Sequence, residues 1–222
     1  MDTVQGKIED VLARLAGEPV ELIGAGRTDA GVHARAMIAN AHMATDKSPE
    51  EIRDYLNRYL PDDICVTEVR IASERFHARY KATGKLYTYT CYVGDLKPLF
   101  NRRTVTELDF VPDVPAMQAA AAVLTGTHDF KAFCSNPKMK KSTVRTVDGL
   151  EIVRRHELLY FNVHGDGFLQ NMVRILVGTL LEVGAGRMTA DDVRAALESG
   201  DRKLAGPTAP AKGLCLMRVE YE

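Results

Sequence analysis

At 222 residues the chain exceeds one typical domain of about 150 residues and falls short of two, so it forms one large domain or two small ones. Its composition, 45% apolar and 27% charged, suits a soluble globular protein and excludes disordered, collagen-like and coiled-coil classes. The 29 Lys and Arg nearly balance 30 Asp and Glu, for a net charge of −1. A nucleic-acid partner would therefore have to be held by a local basic patch, because the field of the whole molecule is close to neutral.

No long apolar run escapes interruption by charge, and the opening Met1–Lys7 resembles neither a signal nor a transit peptide. No membrane span and a cytoplasmic protein are the expectations. Cys65, Cys91, Cys134 and Cys215 form no C-x-x-C pair, and three lie in apolar, strand-like runs. They are expected to be buried free thiols, with no zinc site.

In chain order, Val4, Ile8, Val11, Leu12 and Leu15 share one helical face, and Gly17 supplies the stop. Pro19–Ile23 reads as a strand entering a Gly-rich turn at Gly24–Gly31, and Ala34–Thr45 as a weak second strand. Ser48, Pro49 and Glu51 spell a helix start with a capping box. Ile52, Tyr55, Leu56 and Tyr59 make its buried stripe, and Pro61 ends it. Asp63–Ala72 and Leu86–Val93 are rich in strand-forming residues. A second half begins near Pro98, dividing an N-terminal lobe (1–97) from a C-terminal one (98–222). It holds a helix over Met117–Leu124, a hairpin over Val144–Val163 turning at Arg155–Glu157, and an apolar helix over Phe168–Val183. A short helix capped by Thr189 and Asp192 and a last strand, Gly213–Tyr221, complete the chain. The expected fold class is α+β, with two related lobes of mixed or antiparallel sheet flanked by helices.

The string Gly24–Ala34 lacks the third glycine of a dinucleotide fingerprint and has no Gly-Lys-Ser/Thr, so a nucleotide cradle fits poorly. Asp29 sits among glycines, with Arg27 before it and His33 and Arg35 after it. Such a carboxylate either is presented to a substrate backbone that approaches closely, or merely stabilises its own turn. Arg174 stands among Met172, Val173, Ile175, Leu176 and Val177. It either pairs with an aspartate in a cleft or snorkels to solvent.

Gly26–Ala34 resembles the signature of the TruA family of tRNA pseudouridine synthases. Phe76–Arg79, Tyr87–Tyr89, His128–Phe133, Asn171–Gly178 and Ala209–Leu214 resemble the family's later segments in the same order, so the likeness runs from about Val4 to Tyr221. It implies a pseudouridine-synthase-like fold with a central catalytic cleft, the N-terminal lobe being catalytic and the C-terminal lobe completing the site. The implied reaction isomerises uridine to pseudouridine in the anticodon stem-loop of tRNA, at the positions conventionally numbered 38 to 40. That reaction consumes nothing, so no metal and no other cofactor is expected. Asp29 takes the place of the catalytic aspartate, attacking C6 of the base or assisting at the sugar. Tyr87 matches the active-site tyrosine, which either handles the C5 proton or packs beneath the base; by pattern alone a tyrosine in an alternating strand is more often a core residue. Arg174 matches the ion-pair partner of the aspartate. Arg27 matches the residue that helps displace the target base, filling its place or binding its phosphate. His33 either donates to a phosphate or satisfies a turn, and Arg79 is a further substrate-binding candidate.

The resemblance also implies a homodimer with one tRNA crossing both subunits. Lys138, Lys140, Lys141 and Arg145, and Arg75, Arg79, Arg102 and Arg103, are the basic groups available to a tRNA track. The family opens with a strand bearing a Tyr-Asp-Gly turn and a Gly-Trp-Gln segment. Here the sequence starts at Met1 and contains no Trp. Its loss would leave an unpaired edge beside the site. A start placed downstream, a truncation and a short homologue of impaired activity all account for it. The alternative function is thus a non-catalytic RNA-binding homologue, with a nucleotide-binding oxidoreductase a distant third; coding sequence upstream of Met1 would separate them.

Overall fold

The computed structural model describes residues 3–136 and 138–222. The first helix, α1 (Val4–Ala16), is followed by strands β1 (Leu22–Gly24), β2 (His33–Ala34) and β3 (Ala39–Ala41), then by α2 (Pro49–Tyr59). Next come β4 (Ala82–Tyr92), β5 (Thr106–Glu107), α3 (Val114–Leu124), β6 (Gly126–Asp129), β7 (Val144–Arg155) and β8 (Leu158–Gly165). The chain closes with α4 (Met172–Gly184), α5 (Ala190–Ser199) and β9 (Leu214–Tyr221), which completes the expected α+β class. Two units form, one from residues 1–27 and 38–81, the other from 28–37 and 82–222. The division expected near Pro98 falls after residue 81 instead. The cause is β4, which hydrogen-bonds along one edge to β8 and along the other to β9 and cannot be separated from them.

In the first unit, Gly17 ends α1 at φ +75°, as the glycine stop predicts. The Ser48–Glu51 capping box is complete, with Pro49 in the first turn. Val11, Leu12, Val20, Leu56 and Leu60 form the core beside the antiparallel pair β1–β3. Tyr59 leaves the expected stripe: it is exposed, rests on Tyr55 and carries the Arg58 guanidinium over its ring. Residues 63–72 are not a strand. Ile64, Val66 and Val69 do face the core, and Cys65 lies exposed between them, contrary to the expectation of a buried thiol. The Val66 N–H and C=O are instead bonded by the Asn57 side chain of α2, which takes the place of a neighbouring strand. The strand expected over Ala34–Thr45 contracts to β2 and β3.

The second unit is built on a sheet of order β2-β9-β4-β8-β7-β6, with β5 added to β4; β2–β9 and β4–β5 are parallel and the rest antiparallel. The β7–β8 hairpin turns at His156, which takes φ +54°. Along β8, Leu159, Phe161 and Val163 are buried on one face while Tyr160, Asn162 and His164 are only partly covered on the other. Burying each of these apolar side chains contributes roughly 1.5–3 kcal/mol. α3 packs against both α4 and α5 and lies on β7, and α4 lies on β4. The helix expected from Phe168 starts four residues later, at Met172.

Almost every side chain of α4 is buried, and one of its residues must be small. A Cβ on Gly178 would lie 1.8 Å from the Pro207 carbonyl oxygen. The next residue, Thr179, accepts the Gly206 N–H at 2.9 Å, so segment 205–209 lies directly on the helix. Because the obstructing atom is backbone, Gly178→Ala is expected to lose about 3 kcal/mol of stability, read as a lower urea midpoint.

On the partly covered face, His164 Nδ1 pairs with Asp148 of β7, and its Nε2 lies 3.2 Å from Glu220 of β9. The bridge passes over Gly84 of β4, where a Cβ would come within 2.9 Å of His164 Nε2. The hydrogen bond with Asp148 is the chief cause that raises the imidazole above its ordinary 6.5. A raised folded value stabilises fully below pH 6.5 and is lost as pH rises through it. Melting temperature is therefore expected to fall with pH above 6.5, and His164→Gln to flatten that part of the curve.

Candidate active site

Asp29 begins a four-residue turn closed by the Val32 N–H, which donates to the Asp29 carbonyl at 3.0 Å. Gly31 takes φ +83° at the third position, where a type II turn requires positive φ. β2 follows at once and is pinned to β9 by the pairs His33–Cys215 and Ala34–Leu216, and by the Arg35 N–H donating to Leu216 at 2.8 Å. The turn is thus tied to the sheet. His33 Nε2 lies 2.9 Å from the Arg103 carbonyl oxygen, which can only accept, so that nitrogen carries the proton.

Arg174 projects from the first turn of α4 toward this turn. Its Nη1 donates to Asp29 Oδ2 at 3.0 Å and to Asn171 Oδ1 at 2.8 Å, and its Nε donates to the Ala209 carbonyl at 2.7 Å. The Ala209 N–H returns a bond to the Arg174 carbonyl at 3.1 Å. The arginine side chain is 17% exposed and the aspartate 40%. The cation is therefore enclosed, and the carboxylate remains open to an incoming group. Of the two readings open for Arg174, pairing with a carboxylate is the one the structure bears out.

Tyr87 stands on β4 between Val163 of β8 and Leu216 of β9, half-buried, with Phe168 edge-on at 5.3 Å. Burial, and secondarily the charge of Asp29, push its phenol up to about 12. Two residues on, Tyr89 is fully buried and donates to the Pro210 carbonyl at 2.8 Å. Its oxygen lies 2.6 Å from Thr106 Oγ1, which then serves as the donor. This anchors the segment that presents Ala209 to Arg174.

Asp29, Arg174 and Tyr87 are thus brought together, and His33 follows them in the same unit. Arg27 and Arg79 are exposed and belong to the first unit. Asn171, Ser135 and Ala209 were not among the candidate residues. The signal available for Asn171 was its place three residues before an arginine at a helix start. Among the described residues no group of three or more His, Cys, Asp or Glu is arranged to hold a metal ion, and no helix is long and apolar enough to cross a membrane. Cys91 and Cys134 are buried and Cys215 is partly so; burial pushes the Cys91 thiol up to about 12.

A family model described as tRNA pseudouridine synthase matches residues 1–81 and 120–222. The tRNA pseudouridine synthase A of Acetivibrio thermocellus is 45% identical over 219 residues, covering 99% of this chain and 90% of that protein. Its counterpart in Clostridium kluyveri is 42% identical with the same coverage. The Syntrophotalea carbinolica protein is 44% identical, covering 99% of this chain and 87% of its own.

Removing the guanidinium leaves a carboxylate and two further acceptors without their donor, so Arg174→Ala is expected to cost about 2–3 kcal/mol. The double variant with Asp29→Ala is expected to lose less than the sum of the single losses, as thermal melts would show.

Proposed function

Because the chain belongs to the tRNA pseudouridine synthase family, a family of isomerases, we propose that it converts uridine to pseudouridine in the anticodon stem-loop of tRNA, at the positions conventionally numbered 38 to 40, with Asp29 as nucleophile. The observation that carries this reading is the Arg174–Asp29 ion pair, which leaves the carboxylate open beside a neutral phenol. In the reaction the N1–C1′ bond breaks, the uracil turns, and C5 bonds to C1′. The C5 proton leaves and N1 ends protonated, so atoms and electrons balance without a redox partner. A carboxylate suffices as the nucleophile. Arg174 keeps it aimed while lying too deep to compete for the substrate.

A phenol held up near 12 keeps its proton at neutral pH, which favours Tyr87 as a platform beneath the base over Tyr87 as the acceptor of the C5 proton. Arg27 fills the place of the displaced base or binds its phosphate, and Arg79 is a second exposed contact. His33 holds the Arg103 backbone and so supports the segment carrying Arg102 and Arg103. These, with Arg75, Lys138, Lys140, Lys141 and Arg145, supply phosphate contacts, which position the RNA without reading its bases. The protein acts in the cytoplasm as a homodimer with one tRNA crossing both subunits. Retention of Asp29, Tyr87 and Arg174 in one cluster speaks for catalysis over a purely RNA-binding role.

Tritium release from tRNA containing 5-tritiated uridine tests the assignment. Asp29→Asn is expected to abolish release while tRNA affinity and melting temperature change little. Activity within a few-fold of the parent would overturn it.

A further inference from the structure

An asparagine at a helix N-cap ordinarily turns its side-chain oxygen back to accept a backbone N–H of the first turn. Thr3, Ser48, Asp113 and Thr189 do the equivalent at the starts of α1, α2, α3 and α5. Asn171, at the start of α4, makes no such bond. It also adopts φ +60°, a left-handed conformation that asparagine tolerates better than most residues but that costs it more than it costs glycine. Strain of this kind gathers where surrounding bonds impose it, commonly at functional sites.

Those bonds are present. Asn171 Oδ1 accepts from Arg174 Nη1 at 2.8 Å, and the same nitrogen donates to Asp29 at 3.0 Å. With Nε committed to the Ala209 carbonyl, three directed bonds fix the plane of the guanidinium. The amide orientation is forced, since an arginine can only donate. Asn171 Nδ2 in turn donates to Ser135 Oγ at 2.8 Å, and the Ser135 N–H and hydroxyl both donate to the Gln170 carbonyl, at 3.1 and 3.3 Å.

Building on the proposed synthase reaction, we propose that Asn171 is a positioning residue that forgoes capping α4 in order to fix the Arg174 guanidinium against Asp29, with Ser135 locking its amide. Asn171→Gly is the informative variant: glycine adopts the left-handed conformation without strain, and there is no cap to lose. Its melting temperature is expected to hold or rise. The kcat for tritium release is expected to fall about tenfold, because a small misplacement of a catalytic group is enough for that, with KM for tRNA within about twofold. Ser135→Ala is expected to lower kcat less, and the double variant to be no worse than Asn171→Gly alone. An unchanged kcat in Asn171→Gly would overturn the proposal, as would additive losses that follow the melting temperature. A parent protein that releases no tritium would defeat the functional reading instead. In that case the thermal coupling between Asn171→Gly and Arg174→Ala decides: non-additive changes uphold the positioning contact, and additive ones overturn it.

Discussion

One largely enclosed cation organises the second unit. The Arg174 guanidinium lies in a helix whose other faces are packed with apolar side chains, and a charge so placed must find both a counter-ion and hydrogen-bond acceptors. It finds them in three stretches far apart in the chain: the turn at Asp29, the carbonyl of Ala209, and Asn171 at the head of its own helix. Each stretch must therefore be shaped to reach it. Gly31 supplies the positive φ that the Asp29 turn needs. Gly178 leaves room for Pro207, so that the chain before Ala209 can lie on α4.

The sheet keeps these pieces in register. β4 is paired on both edges, and two of its three tyrosines, Tyr87 and Tyr89, show how neighbours decide the surroundings of a residue. Tyr89 is sealed under Gly213, where a Cβ would come within 2.6 Å of its ring, and its hydroxyl bonds Thr106 and Pro210. That residue ties the C-terminal segment down. Tyr87, one pleat away on the same face, meets Phe168 and the charge of Asp29 and remains partly open. Equivalent side chains in one strand thus meet a sealed core in one case and a partly open, charged surrounding in the other.

Where a structural signal is completed within a few residues, the chain spells it out. Gly17, the Ser48–Glu51 box, the Thr189–Asp192 box and the hairpin at His156 all formed where their local patterns place them. Residues 63–72 show the opposite case. Ile64, Val66 and Val69 face the core, yet a strand needs a partner strand, and Asn57 of a helix supplies the bonds instead. Tyr59 likewise fits the helical stripe but lies beyond the reach of the small core beneath α2.

The sequence by itself determined the α+β class, the caps of α1, α2 and α5 and the collinear motifs that pick out Asp29, Tyr87 and Arg174, because periodicity, caps and motif order are properties of neighbouring residues. Only the tertiary structure decided that Arg174 pairs with Asp29 and not with solvent, that burial raises the Tyr87 phenol beside that pair, that β4 belongs with the C-terminal strands, and that Asn171 serves the arginine in place of its helix. Apart from the Asn171 contact, which spans three residues, each depends on groups brought together from distant parts of the chain, and the burial that sets charge and hydrogen-bond partners exists only once the chain has folded.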